Sequence, residues 1–289
     1  MTHLINTNSQ ICFTKKDLRL SFPMTTGASV PANTLDSLIK RALKQEKLLQ
    51  LKKGLYMTST CYIHEPDKAK LSEYLASQIY QPSYISLEYV LEKYHLLSRT
   101  TSSPSECPDA SFAIITPITS ITLKPTHTFK NFSGTYRYTN IKSALYIGNN
   151  QTHDENNLRI SHDDEMKTEN NTYLGYKEHT FHGHTYHIAT KAKALFDYLY
   201  MKSDLKRRNT THLRRQLFKE PNLQPNSESN FRSNLKSNLH WANFSEEDFK
   251  EFEHHVWQSK SKKMMRVLDV IAKYFANKKF DAWKKELLS

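Results

Sequence analysis

The chain has 289 residues, of which 38% are hydrophobic and 24% charged, so it is long enough and apolar enough to bury at least one core. This composition excludes disorder along the whole chain, and the lack of an apolar run of 18 residues excludes a transmembrane helix. The start, MTHLINTNSQ, lacks the pattern of a signal peptide, and three separated cysteines form no CxxC motif. We therefore expect a protein of the reducing cytoplasm with no membrane partner.

The net charge of +12 is concentrated at the two ends of the chain. Lys and Arg outnumber Asp and Glu by six in residues 1–60 and by eight in residues 201–289, whereas residues 151–200 carry three more acidic than basic side chains. Surplus cations are commonly used to neutralise a polyanion such as a nucleic acid. The alternative is that the charge serves solubility alone.

The first 60 residues predict two helices followed by a hairpin. FTKKDLRLSF is typical of a short helix capped by Thr14 with Asp17 three positions later, and Pro23 and Gly27 then break the chain. A second helix carries one apolar stripe, with Pro31 or Asn33 at its start. The stripe comprises Leu35, Leu38, Ile39, Ala42 and Leu43. KLLQLKKGLYMT predicts a β-hairpin with Leu49, Leu51, Leu55 and Met57 pointing inward.

This order of elements is that of a winged helix-turn-helix, in which the second helix enters the major groove of DNA and the hairpin contacts the backbone. The side of that helix opposite the apolar stripe carries the polar residues, and the hairpin tip carries two lysines. The predicted DNA-binding residues are Asn33, Thr34, Ser37, Lys40, Arg41, Lys44, Lys52 and Lys53. The alternative is a winged helix used for protein contact, with these cations merely solvated.

Residues 61–202 predict a mixture of helices and strands. Asp67 starts a helix through Leu71, Leu75 and Ile79, and Ser86 caps another. Strands follow in SFAIITPITSITL and TYRYTNIKSALYIG, and YLGYKEHTFHGHTYHIAT predicts a hairpin around Gly183. The polar, acidic residues 149–171 predict a mobile excursion or the tip of a hairpin. ATKAKALFDYLYMK predicts a helix with a Lys193–Asp197 ion pair.

Residues 203–289 predict a basic helical region with two apolar stripes. PNLQPNSES is the expected linker within it. The stripes comprise Phe249, Phe252 and Val256, and then Met264, Val267, Leu268, Ile271 and Phe275. A cluster of cations precedes the linker and fits an acidic partner surface, DNA that flanks the main site, or a solvated helix face. It comprises Lys206, Arg207, Arg208, Arg214 and Arg215. The fold class expected for the whole chain is therefore α+β, with domains at 1–60, 61–202 and 203–289.

Signatures of catalysis are not found in the sequence: it has no GxGxxG, GxxxxGK[ST], GxSxG or HExxH motif. His182 and His184 alternate across Gly183 within EHTFHGHTYH, so a strand would point both toward one metal ion, with Glu178 as the nearest carboxylate in sequence to hydrogen-bond such a ligand. The alternative is a water-exposed hairpin decorated with histidines, and no third ligand stands at a recognisable spacing. We therefore predict no catalytic residue, no metal and no cofactor.

Four segments, in order, resemble the AbiEi-type antitoxins of bacterial type IV toxin–antitoxin and abortive-infection systems. They are LLQLKKGLYM, PSYISLEYVLEKYHLL, YRYTNIKSALYIG and HIATKAKALFDYLYM, within residues 10–202. The resemblance implies a transcriptional autorepressor that binds inverted repeats in its own promoter through Asn33–Lys44 and Lys52–Lys53. It also implies that the remainder of the chain counters a nucleotidyltransferase-like toxin.

Two other functions compete with this one. The first is a defence or nucleic-acid-processing enzyme that uses the winged helix only for targeting, which predicts metal uptake or turnover lost on changing His182 or His184. The second is an interaction adaptor whose winged helix has lost DNA affinity. A palindromic operator needs two copies of the protein on DNA, whether the free protein is a monomer or a dimer.

Overall fold

The computed structural model describes residues 10–21, 31–98, 117–146, 175–202, 217 and 239–287. These residues form a mixed α+β structure, in agreement with the predicted fold class. Their contacts define two compact units. Within the described ranges, unit 1 comprises residues 10–21, 31–85, 117–141 and 178–188; unit 2 comprises residues 86–98, 142–146, 175–177, 189–202, 217 and 239–287. Among the helices described, none combines the length and the apolar character that crossing a membrane requires.

The N-terminal part of unit 1 is a three-stranded antiparallel sheet with three helices, and its sheet order is β1-β3-β2. The elements are β1 (Cys12–Thr14), α1 (Lys15–Ser21), α2 (Ala32–Lys44), β2 (Leu48–Lys52), β3 (Leu55–Thr58) and α3 (Ser59–His64). The predicted cap of α1 is present: Asp17 N donates to Thr14 Oγ1 over 3.3 Å, and Thr14 N donates to Asp17 Oδ2 over 2.7 Å.

The hairpin predicted at KLLQLKKGLYMT is formed by β2 and β3, but its burial pattern differs from the expected alternation. Leu48 and Leu51 are buried on β2, whereas Leu49 is only half-buried. The pairing register shifts between Gln50 and Lys52, and such a bulge interrupts the two-residue period on which the inward assignment of Leu49 depended.

The rest of unit 1 is built on a six-stranded mixed sheet with the order β6-β7-β5-β4-β9-β8. The strands are β4 (Ser83–Ile85), β5 (Ile118–Thr122), β6 (His127–Asn131), β7 (Gly134–Asn140), β8 (Tyr176–Phe181) and β9 (His184–Ala189). β5 and β7 are parallel, whereas β6 and β7 are antiparallel. The predicted hairpin around Gly183 is therefore confirmed as β8 and β9.

One side of this sheet is covered by α4 (Lys68–Ile79), the helix that the sequence predicts from Asp67. Asp67 accepts a hydrogen bond from Lys70 N over 2.9 Å and so caps the helix. Tyr138 of β7 donates its hydroxyl proton to the carbonyl oxygen of Ala76. Tyr186 of β9 donates to the buried carboxylate of Glu73 over 3.0 Å. We call the side of the sheet that carries these tyrosines the α4 side.

Unit 2 is mainly helical. Its helices are α5 (Leu87–Lys93), α6 (Ser143–Tyr146), α7 (Lys191–Met201), α8 (Glu246–Ser259) and α9 (Lys262–Leu287), with a 3₁₀ turn at Trp241–Asn243. The predicted inward side of α7 is buried, and it comprises Ala192, Leu195, Phe196 and Leu199. The predicted stripes of the C-terminal helices are also buried at Phe252, Val256, Met264, Val267, Leu268 and Ile271. A capping box between Ser245 and Asp248 starts α8.

Several sequence-based expectations concern residues outside those that the structure describes. They are the break at Pro23 and Gly27, the acidic residues 149–171, the linker PNLQPNSES and the cations Lys206, Arg207, Arg208, Arg214 and Arg215. These expectations stay predictions.

Candidate nucleic-acid interface

Helix α2 has one buried and one exposed side. Leu35 and Ile39 are at most 5% exposed and form a cluster with Tyr56 of β3, against which Leu18 of α1 and Leu43 also pack. Because these contacts involve a helix and a strand on one side of α2, they fix the rotation of α2 about its axis. The opposite side is therefore held facing solvent.

All six residues predicted to contact DNA from α2 are exposed. They are Asn33, Thr34, Ser37, Lys40, Arg41 and Lys44. At 100° per residue they lie on the side opposite Leu35 and Ala42, so the structure brings them onto one surface. We call these six residues the α2 surface. Arg41 and Lys44 lie in the last helical turn, where cations also interact favourably with the helix dipole.

The acidic residue of α2, Asp36, is paired with a cation of another helix. Its Oδ1 lies 2.5 Å from Nζ of Lys15 on α1. Among the described residues, Lys40, Arg41 and Lys44 take part in none of the ion pairs found. The α2 surface is therefore positive, a charge that suits phosphate groups.

Ser37 has a more restricted role than the sequence suggests. Its hydroxyl donates to the main-chain carbonyl of Asn33 over 3.0 Å, so its proton is used within the helix. The oxygen lone pairs remain as acceptors. Ser37 therefore suits a donor on its partner, such as the amino group of adenine or cytosine.

The two lysines of the hairpin lie in different environments. Lys53 is exposed at the turn, where Gly54 adopts a φ of +82° that favours glycine. Lys52 is half-buried, and its ammonium group donates to the carbonyl of Ile79 at the end of α4. Burial, and then the positive charge of Lys124, lowers the pKa of Lys52. Only Lys53 is therefore placed as the sequence predicts for a phosphate contact.

The histidines of the β8–β9 hairpin engage other side chains. His182 Nε2 lies 2.7 Å from Oε2 of Glu65, whose side chain is only 7% exposed. His184 packs against the ring of Tyr74 with 5.5 Å between ring centroids. Within the described part of the chain, no group of three or more His, Cys, Asp or Glu residues is arranged to hold a metal ion.

Unit 2 contains a buried polar cluster that the sequence predicts only in part. The expected Lys193–Asp197 pair is formed, with 2.6 Å between Nζ and Oδ1, and the two side chains are 4% and 0% exposed. Ser86, which the sequence predicts as a helix cap, instead donates its hydroxyl proton to Asp197 Oδ2 over 2.8 Å. The sequence carries no signal for this second contact, because the two residues are 111 positions apart.

The chain matches no protein-family model, no curated protein and no solved structure.

Proposed function

We propose that this protein is a sequence-specific DNA-binding transcriptional autorepressor. Residues 1–60 act as a winged helix-turn-helix domain, with α2 as the recognition helix and the β2–β3 hairpin as the wing. The observation that supports this proposal most is the α2 surface, because its three cations stand on the solvent-facing side of a helix that a hairpin immediately follows. A helix of this kind fits the width of the major groove.

The side chains of the α2 surface and of the hairpin suit different chemical groups on DNA. Lys40 and Arg41 suit guanine edges or phosphates, and Asn33 suits the paired donor and acceptor of adenine. Lys53 suits a phosphate beside the groove, whose position is independent of base sequence. Two copies bound to inverted repeats extend this contact to both halves of a palindromic operator.

The antitoxin role rests on the resemblance of four segments to AbiEi-type proteins. In this proposal the protein acts in the cytoplasm, where residues 61–202 and the basic region 203–289 counter a nucleotidyltransferase-like toxin. A neighbouring reading frame for such a toxin, expressed with and without this chain, tests this half of the proposal. Growth arrest that the chain fails to relieve would contradict it.

The DNA-binding half is tested by mobility shift on the DNA upstream of the gene, at two salt concentrations and against a scrambled duplex. We expect specific binding that weakens steeply with salt. Lys40→Ala or Arg41→Ala should each cost about 1–3 kcal/mol of binding free energy where the side chain contacts a base edge. Lys262→Ala removes the same charge from an exposed position in unit 2 and serves as the matched control.

Equal affinity of the parent and of the Lys40 and Arg41 variants for upstream DNA would rule out the α2 surface as the recognition surface. Equal affinity for the upstream and the scrambled duplex would rule out the repressor itself.

A further inference from the structure

Four aromatic rings of unit 1 pack against one another at the outer strand of the large sheet. Tyr80, which follows α4, has its ring centroid 5.5 Å from that of Phe129 and 5.1 Å from that of Tyr138. His127 lies 4.4 Å from Phe129 and 6.1 Å from Tyr80, again between ring centroids. These four residues form a continuous group, which we call the aromatic ladder.

The aromatic ladder extends from the core to the surface. Tyr138 is 1% exposed, Tyr80 and Phe129 are half-buried, and His127 at the outer end is exposed. The inner rings pack against the outer ones, and the His127 ring is supported by its contact with Phe129. A supported, exposed ring offers a planar surface on which another planar group can stack.

A cation is held beside these rings by a fixed loop. Lys124 Nζ lies 5.5 Å from the centroid of the Tyr80 ring. Asn140 Nδ2 donates to the carbonyl oxygens of Leu123 and Lys124, each over 2.9 Å. The Tyr80 hydroxyl donates to the carbonyl of Pro125 over 3.1 Å. With its carbonyls bonded in this way, the backbone of the loop is held in place beside the Tyr80 ring.

The strand that carries the aromatic ladder is also joined to the N-terminal sheet. Burial, and then the positive charge of Lys124, lowers the pKa of Lys52, the half-buried lysine whose ammonium group donates to the carbonyl of Ile79. Asn131, at the end of β6, donates to the carbonyl of Leu51 over 3.0 Å and so connects the strand of the aromatic ladder to β2.

We propose that His127, Tyr80 and Lys124 form a binding site for a single-stranded nucleic acid, in which an unpaired base stacks on the exposed ring of His127 beside Tyr80 and the adjoining phosphate pairs with Lys124. A nucleotide unit offers a planar base beside an anion, which is the arrangement complementary to a ring beside a cation. The site goes beyond the proposed function. The α2 surface contacts paired bases in the major groove, whereas the site at His127 requires an unpaired base whose face is free to stack.

The test is a titration of the full chain into a decamer of deoxythymidines that carries one central 2-aminopurine. Stacking of the fluorescent base on the ring should quench its emission. His127→Ala should lower the affinity about tenfold and abolish the quenching. Lys124→Ala should weaken binding and reduce the dependence of log affinity on log salt by about one unit.

Strand β6 supplies matched controls on its other side. Thr128 pairs with Arg137 and Lys130 pairs with Thr135, so these side chains alternate with His127 and Phe129 and point away from the α4 side. Thr128→Ala should leave affinity and quenching unchanged. Lys130→Ala removes a charge from the same strand and should lower the affinity less than Lys124→Ala does.

Three outcomes would overturn the proposal. Equal losses for Lys124→Ala and Lys130→Ala would mean diffuse electrostatic attraction. Unchanged quenching in His127→Ala would mean that the base stacks elsewhere. If thymidine monophosphate displaces the decamer at concentrations close to the decamer's dissociation constant, the site binds free nucleotides rather than a strand. Lys40→Ala and Arg41→Ala leave this site intact. Loss of duplex binding in those variants is therefore distinguishable from loss of decamer binding at His127, Tyr80 and Lys124.

Discussion

The ammonium group of Lys52 donates to the main-chain carbonyl of Ile79, the last residue of α4. This carbonyl is one of those that the end of a helix leaves without an intrahelical partner. The contact therefore ties the β2–β3 hairpin to α4 and withdraws Lys52 from solvent, whereas the adjacent Lys53 stays exposed.

Substitution should separate these two lysines. Lys53→Ala should weaken binding to all duplexes and reduce the salt slope by about one unit, with no loss of stability. Lys52→Ala should lower the free energy of unfolding by about 1 kcal/mol, because it leaves the Ile79 carbonyl without this bond, and should leave the salt slope unchanged. Urea denaturation and filter binding measure the two effects. A reduced salt slope in Lys52→Ala would show that Lys52 also contacts phosphate.

Removing only one member of the buried Lys193–Asp197 pair should lower the free energy of unfolding strongly. Lys193→Ala or Asp197→Ala should each lower the free energy of unfolding by about 3–5 kcal/mol, because the remaining charge is buried without its partner. The double variant Lys193→Met/Asp197→Leu should lose less than either single variant, since it buries no charge. Chemical denaturation of the three variants measures the difference.

An exposed pair with the same spacing provides the control. Asp269 and Lys273 lie 2.9 Å apart on α9, with side chains 53% and 73% exposed. Breaking it with Lys273→Ala should cost no more than about 0.5 kcal/mol, because water and salt screen the pair. Comparable losses at both pairs would contradict the assigned role of burial.

Glu251 should make unit 2 sensitive to acid. Burial raises its pKa, but hydrogen bonds from His255 and Thr190 outweigh burial, and the pKa of the carboxyl lies below its usual 4.5. The folded state therefore binds fewer protons than the unfolded state, so this stabilisation is present above about pH 4.5 and is lost as the pH falls through the folded-state pKa.

Glu251→Gln should remove that dependence. The stability difference between the parent and Glu251→Gln should be largest near neutral pH and should shrink as the solution becomes more acidic than the folded-state pKa. Denaturant midpoints recorded along a pH series measure it. Glu178→Gln, an exposed position on β8, is the control and should show a much smaller difference. A difference for Glu251→Gln that does not change with pH would refute the assignment.

Gly175 should tolerate a side chain less well than Gly183. Both have positive φ, +71° and +79°, so alanine at either strains the backbone by about 1–2 kcal/mol. A Cβ at Gly175 would also lie 2.5 Å from Cε1 of His255, whereas nothing lies within 4 Å of one at Gly183. Gly175→Ala should therefore cost about 1–3 kcal/mol more than Gly183→Ala in thermal or urea unfolding. Equal costs would mean that His255 moves away freely.

Local sequence patterns predict the parts of this protein whose formation depends on near neighbours. The stripe of Leu35 and Ile39 places the exposed side of α2, and the Thr14–Asp17 cap starts α1. The Lys193–Asp197 pair follows from four-residue spacing on one helix. In each case the interacting residues are separated by a few positions, so helical periodicity and capping chemistry are sufficient.

The sequence by itself thus determined the α+β class, the main helices and the exposed side of α2, because periodicity and capping act between near neighbours. Only the tertiary structure decided which distant groups meet. It joins Lys52 to Ile79, Ser86 to Asp197, and His182 to Glu65. It also assembles the aromatic ladder from Tyr80 and the much later strands β6 and β7. Such partners are selected by the packing of whole elements, which no short-range pattern encodes.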